Sequence, residues 1–361
     1  MSQRRRPTQV DIARAAGVSQ ATVSLVISGG QASSQIAEQT RRSVLDAAAE
    51  LGYTVNTAAR SLKGGRNRML GLYTFEPVFP VDQRDFYFPF LLGVEEATAE
   101  FGYDLLLFSS VSSGERRIYS DGINRLKVAD GCVLLGRHID RADLADLVRE
   151  DFPFVFVGRR ELPGVELSYV APDYVGATRD MVRRLTDVGH RRLAYLRPAD
   201  HQEPTRDREA GFREGLADAG LPDQPIHEIP DDDVDARLAA LLDQWLADGV
   251  TALLVEPSED DQAIVALERV AASAGVRIPE DLSVALLGDP ARSGTGSTGG
   301  PGTASARDWT RFTLPREDMG RAAVGLLLEL MAADDSGSDV GPRQLSVACT
   351  PVDGDSVGRP R

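Results

Sequence analysis

The residues whose types and spacing can do chemistry come early in the chain. Between Val10 and Ile27, Ala13 is small where a second helix would cross the first, and Gly17 stands where a tight turn needs a positive φ. Val23 is apolar where the second helix would be pinned to the first. This leaves Ser19, Gln20, Ala21, Thr22 and Ser24 near the start of a helix whose outer face can enter a major groove. Free N–H groups at such a helix start also favour phosphate. A helical hairpin inside an ordinary core would show the same pattern, so its surroundings matter. Residues 1–70 hold ten Lys and Arg against four Asp and Glu, a local charge of +6, although the whole chain carries −15. The other 291 residues therefore carry −21. A small basic head on an acidic body fits a protein that displaces counterions from DNA phosphates.

Other chemistry is set aside on spacing. Gly294-x-Gly296-x-x-Gly299 has the letters of a dinucleotide fingerprint, but Ser/Thr/Gly-rich sequence to Ala306 follows where a helix is required. It reads as a flexible insertion. His138, His190, His201 and His227 have no metal-ligand spacing among themselves or with Cys132 and Cys349, and the two cysteines, each in an apolar run, read as buried thiols. No Ser/His/Asp or paired-carboxylate arrangement stands out, so no catalysis, cofactor or metal is expected. No apolar run approaches the ~20 residues that span a bilayer. The charged start, Met1 to Arg6, has no apolar stretch behind it, and a cytoplasmic protein without a membrane partner is expected.

The elements that must position these residues follow from periodicity. Residues 8–52 read as three short helices. Thr8 caps the first with Asp11 as its partner, and Val10 and Ala13 are expected on the inner face. Ser19 caps the second, and Val44, Leu45, Ala48 and Leu51 mark the third. Asn56 opens one more helical turn, Thr57 to Leu62, before Gly64-Gly65. From Met69, short apolar runs such as Leu70–Phe75, Cys132–Leu135, Phe154–Val157 and Ala252–Val255 alternate with amphipathic stretches such as Arg141–Arg149 and Gln262–Ala274. That alternation implies parallel, doubly wound sheets covered on both faces. About 290 residues exceed one comfortable core, so two such subdomains are expected.

With these motifs assembled, the chain resembles the lactose/galactose repressor family. The resemblance rests on Thr8-x-x-Asp11-Ile12-Ala13-x-x-Ala16-Gly17-Val18-Ser19-x-x-Thr22-Val23-Ser24 and on Thr40-Arg41-x-x-Val44-Leu45-x-Ala47-Ala48-x-x-Leu51-Gly52-Tyr53-x-x-Asn56, then Ala59-Arg60-x-Leu62. It continues through Gly93-Val94-Glu95, Gly189-His190-Arg191-Arg192, Arg208-x-x-Gly211-Phe212 and Met319-Gly320-Arg321-x-Ala323-Val324. It implies a small all-α head plus an α/β body of two doubly wound parallel-sheet subdomains. The expected boundaries are 1–55 for the head and 56–68 for a hinge helix and linker. The effector-binding and dimerisation domain spans 69–361, with an N-subdomain of about 69–170 plus 315–338 and a C-subdomain of about 171–314 plus 339–361.

The resemblance also implies roles. A homodimer binds a near-palindromic operator in double-stranded DNA, one recognition helix per half-site. Gln20 and Ala21 stand at base-reading positions, and Thr8, Ser19, Thr22 and Ser24 at phosphate or groove contacts. Leu25 replaces a polar reader and removes a possible contact to guanine. Asn56, Ala59, Arg60 and Leu62 fall on the hinge, which would set Ala59 against bases in the minor groove and wedge Leu62 into the central step. The body resembles periplasmic sugar-binding proteins. There Phe86 and Tyr87 supply aromatic rings, Arg208 a clamp, and Arg159, Asp261 and Asp289 further contacts in the ligand cleft. Asp260-Asp261 stands for the usual Asn-Asp after a three-residue insertion, and Leu286 replaces the usual Gly, so the cleft departs from the family pattern. The expected function is a transcriptional repressor controlled by a small molecule, a sugar first, with a purine or other non-sugar effector as the alternative. A solute-binding protein without a regulatory role is the remaining reading.

Overall fold

The computed structural model describes residues 7–28, 36–53, 66–75, 84–108, 117–137, 139–229, 233–257, 262–290, 307–338 and 340–361. The chain separates into two compact units, Met1–Asn67 and Arg68–Arg361. Hinge residues Asn56, Ala59, Arg60 and Leu62, the cleft residue Asp261 and the Gly294–Gly299 motif lie outside the described residues.

The first unit contains α1 (Gln9–Ala16), α2 (Gln20–Ser28) and α3 (Glu38–Glu50). At the start of α1 the Asp11 carboxylate accepts the Thr8 N–H at 2.9 Å and the Thr8 hydroxyl at 2.7 Å. Gly17 ends α1 in the left-handed region, at φ 68°, which costs little only without a Cβ. Ile12, Ala13, Val23, Val26, Val44 and Ala47 form the small core. The phase of two helices differs from the sequence expectation. Val10 is 46% exposed and Ile12 takes the inward place; Leu45 and Leu51 face outward while Val44 and Ala47 are buried. Apolar neighbours one residue apart differ by about 100° around a helix, so a run of them leaves the phase open until the partner helices choose.

The second unit is built on two six-stranded sheets. The first takes β1 (Met69–Thr74), β2 (Asp104–Phe108), β5 (Gly131–Leu135), β6 (Phe154–Val157), β7 (Tyr169–Pro172) and β13 (Gln344–Val347). Their order is β13-β7-β6-β5-β1-β2, all parallel. A short hairpin of β3 (Tyr119–Ser120) and β4 (Ile123–Asn124) stands apart. The second sheet takes β8 (Leu193–Pro198), β9 (Ile226–Ile229), β10 (Ala252–Val255), β11 (Ser283–Leu286), β12 (Thr310–Thr313) and β14 (Thr350–Val352). Its order is β14-β12-β11-β10-β8-β9, and only β14 runs antiparallel. Helices cover both faces: α4 (Arg84–Glu100), α5 (Arg141–Arg149), α6 (Tyr174–Asp187), α7 (Glu203–Asp218), α8 (Val234–Ala247), α9 (Gln262–Ser273) and α10 (Arg316–Asp335). The alternation inside β5 shows why its letters are continuously apolar. Val133 enters the core under α4 and α10, while Cys132 and Leu134 enter the core on the other face.

The chain's return between subdomains corrects one expected boundary. Residues 339–361 and 171–172 were assigned to the C-subdomain, yet Gln344–Val347 pairs with Tyr169–Pro172 in the first sheet. The crossing therefore falls between Val347 and Thr350. A four-residue edge strand of mixed letters carries no mark of which sheet it joins.

Two contacts fix the frame around the cleft. A Cβ on Gly93 would lie 2.0 Å from the Glu317 carbonyl oxygen, so the backbones of α4 and α10 touch, and with them Phe86 and Arg316 are set in place. In the second subdomain His190 is buried, with Nε2 2.9 Å from the Gly358 carbonyl and Nδ1 2.9 Å from the Thr251 hydroxyl. A carbonyl only accepts, so Nε2 donates and Nδ1 accepts. His190 thereby holds the C-terminal residues against the sheet.

Candidate functional site

The head presents one exposed helix face. Ser19 Oγ accepts the Thr22 N–H at 3.1 Å, and the Ser19 and Thr22 hydroxyls are 2.9 Å apart, so the first turn of α2 is closed by its own side chains. Val23 and Val26 are buried beneath it. Gln20 and Ala21 are exposed, Ser24 is half-buried and Leu25 is 40% exposed. Residues 20, 21, 24 and 25 share the outward face, as i, i+1, i+4 and i+5 must when 23 and 26 point inward. The Thr8 hydroxyl is committed to Asp11, which makes capping its evident task.

In the second unit a cleft of about 1360 Å³, part of it open to solvent, lies between the two sheets. Its lining follows one rule: the residues stand just after the carboxyl ends of strands. Gly136 and Arg137 follow β5, Arg159 and Arg160 follow β6, Tyr174 follows β7, and Asp200 follows β8. Glu256 follows β10, Asp289 follows β11, and Leu314 and Arg316 follow β12. Helix α4 adds Phe86 and Tyr87, and α7 adds Thr205, Asp207 and Arg208. Parallel strands leave their crossover loops at that end, which is where open α/β sheets bind ligands.

The structure therefore brings five of the six expected effector residues together, in environments the sequence did not reveal. Phe86 meets Tyr87 edge-on at 5.0 Å, and the Arg316 guanidinium lies 4.9 Å above its ring. Tyr87 is 4% exposed and belongs as much to the core as to the cleft. Arg159 forks onto Asp207, with Nε at 2.9 Å and Nη2 at 2.6 Å, and also reaches Glu161. Burial acts to lower the Arg159 pKa, but the bonds and charges of Asp207 and Glu161 together outweigh it and raise it. Asp289 accepts the Leu314 N–H at 3.1 Å and pairs with Arg316 at 3.0 Å.

Arg208 is the centre of the site. It is 7% exposed, with its guanidinium 3.8 Å above the Tyr174 ring. Nε donates to the Leu287 carbonyl at 2.8 Å and Nη1 to Glu256 at 2.9 Å. Glu256 in turn accepts the Tyr195 hydroxyl at 2.8 Å. The single hydroxyl proton of Thr205 is shared between Glu256, at 2.8 Å, and Asp200, at 3.0 Å. Burial acts to lower the Arg208 pKa, yet Tyr174, Glu256 and Tyr195 more than offset it and hold it above the ordinary value. Burial, then Glu256, pushes the Tyr195 phenol up, so it remains a proton donor to that carboxylate. The sequence expectation was a ligand clamp; Arg208 is a buried group already bonded to Leu287 and Glu256.

Tyr174, Glu256, Arg316 and Asp207 were missed. The available signal was position for Tyr174 and Glu256, which stand among the first residues after the apolar strands β7 and β10; Arg316 follows Thr-Arg-Phe-Thr, whose letters give no such mark.

A helix-turn-helix head with a two-sheet body and a cleft at its strand ends defines a DNA-binding transcriptional regulator with a ligand site. A family model described as "Bacterial regulatory proteins, lacI family" matches residues 8–56, and one described as "Periplasmic binding protein-like domain" matches 182–357. The chain belongs to the LacI family of bacterial regulatory proteins. It is similar to the HTH-type transcriptional regulator CelR of Thermobifida fusca, 32% identical over 349 residues, covering 92% of this chain and 94% of that protein. A solved complex of CelR with cellobiose matches with a TM-score of 0.59 and 28% identity, over 97% of this chain and 100% of that one. The lac repressor dimer bound to operator and the anti-inducer ONPF shares the fold, with a TM-score of 0.63 and 19% identity, over 98% of this chain and 100% of that one.

Proposed function

We propose that this chain is a cytoplasmic repressor that binds its operator as a homodimer and is controlled by a sugar in the cleft. Gln20 and Ala21 read bases in the major groove, Ser19, Thr22 and Ser24 meet phosphates, and residues 56–68 act as the hinge. One recognition helix per chain requires two chains for a near-palindromic site. The observation that carries the effector reading is the contrast between the cleft walls. Phe86, Leu135, Val157 and Met319 supply an apolar side, while Asp200, Thr205 and Arg208 supply hydrogen-bonding groups. A sugar ring has the same two characters, C–H faces and a hydroxyl rim. The cellobiose complex of CelR supports this reading. A flat purine fits less well, because Arg316 already covers the Phe86 ring and Tyr87 meets that ring edge-on. A thermal-shift screen of the full chain against neutral sugars and nucleobases tests the choice, since a ligand that binds only the folded state raises its apparent stability. Stabilisation by a nucleobase and by no sugar overturns the sugar reading.

A further inference from the structure

Among the described residues, every guanidinium lining the cleft is already met by the wall itself. Arg159 holds Asp207, Arg208 holds Glu256 at 2.9 Å, Arg316 holds Asp289 at 3.0 Å, and Arg137 lies 3.9 Å from Asp200. Arg160 gives one N–H to the Arg159 carbonyl at 2.6 Å and another to the Gly136 carbonyl at 2.7 Å. Helix N-termini are the other common anion receptor in an α/β cleft. Three of the helices that begin at this one carry a carboxylate at the start. Asp173 accepts the Gly176 N–H at 2.8 Å in α6, and Glu203, 3% exposed, sits in the first turn of α7. Asp289 accepts the Leu314 N–H immediately ahead of α10.

We infer that the cleft selects an uncharged, hydroxyl-bearing ligand and rejects the phosphorylated or carboxylated form of the same molecule; this rests on the sugar reading above. An entering anion loses its water, finds no unmatched cation among the described lining residues, and approaches four carboxylates, Asp200, Asp207, Glu256 and Asp289. A cation meets the converse. A hydroxyl both donates and accepts, so it bonds to either half of a wall pair without an uncompensated charge. Glu256 and Asp207 are then specificity determinants: each cancels a guanidinium that an anionic ligand would otherwise use.

The test is calorimetric titration of the full chain with cellobiose, maltose, sucrose and trehalose, each against its 6-phosphate. The expected result is that one neutral sugar binds and its phosphate binds weaker by about a hundredfold or more, the scale set by burying an unpaired charge. Two variants sharpen it. Glu256→Gln and Asp207→Asn keep shape and hydrogen bonding but leave Arg208 without its carboxylate and Arg159 with Glu161 alone. Each is expected to shift the ratio of phosphate to neutral affinity by about tenfold or more toward the phosphate. Circular dichroism and a melting curve establish that each variant is folded, and Asp207, partly exposed, serves if Glu256→Gln does not fold. A phosphate bound as tightly as its neutral parent overturns the inference and leaves the sugar reading standing. An unchanged ratio in the folded variants also overturns it. Binding of none of the eight compounds removes the sugar reading, and the inference falls with it.

Discussion

Replacing Arg208 by Met keeps the aliphatic stem and deletes the guanidinium. The change removes the bonds to Leu287 O and Glu256 and the contact with the Tyr174 ring. Among the described residues, Glu256, 5% exposed, then retains only hydroxyl donors from Tyr195 and Thr205. Breaking one partner out of a buried pair costs ~3–5 kcal/mol, and the two remaining donors place this case near the lower end, about 3 kcal/mol at pH 7. At ~2 °C per kcal/mol for a large domain, the melting temperature should fall by about 6 °C. Glu256→Gln alone strands the opposite charge and should cost a similar amount. The double variant removes both charges, so its loss should fall short of the sum by about 2 kcal/mol or more. The assay is urea unfolding of the full chain followed by tryptophan fluorescence, because both tryptophans, Trp245 and Trp309, are buried in the core of the second subdomain. A loss below about 0.5 kcal/mol for Arg208→Met, the size of an ordinary surface change, would refute the buried-pair reasoning.

Burial, opposed by the bond to Gly358, lowers the pKa of His190 in the folded chain, so its stabilising neutral form is fully present above the unfolded value of about 6.5. Stability should therefore fall as pH drops below about 6.5, and His190→Gln should flatten that slope in urea titrations across the range; His227, lowered chiefly by burial, keeps part of it. Gly93→Ala places a methyl against the Glu317 backbone, so it should cost about 1–3 kcal/mol in unfolding and weaken effector binding by displacing Phe86 from Arg316. A variant with wild-type unfolding would show that α4 and α10 separate freely. Gln20→Ala should reduce operator affinity by about 1–3 kcal/mol and relax base preference at one position per half-site, seen by competition among single-base operator variants.

Much of the fold was legible where burial on both faces forces continuous apolar letters, as in Phe154–Val157 and Ala252–Val255. The edge strands were not. Ile226–Ile229 (Ile-His-Glu-Ile) and Gln344–Val347 (Gln-Leu-Ser-Val) are partly exposed, and nothing in such letters names the neighbour they pair with. The turn at Gly17 and the caps at Thr8 and Ser19 were legible because each is a local event of three or four residues. Five cleft residues came from resemblance, but their partners did not. Arg208 and Glu256 are 48 positions apart, and only the order of the strands in the sheet brings them within 2.9 Å.

The outward face of α2 is proposed to read a two-fold operator. Selection of bound duplexes from a random DNA pool by the full chain, at physiological salt, tests it most directly. A near-palindromic consensus with half-sites about one helical turn apart is expected, bound with an affinity that falls steeply as salt rises. Absence of any enriched sequence, or an affinity indifferent to salt, would contradict it.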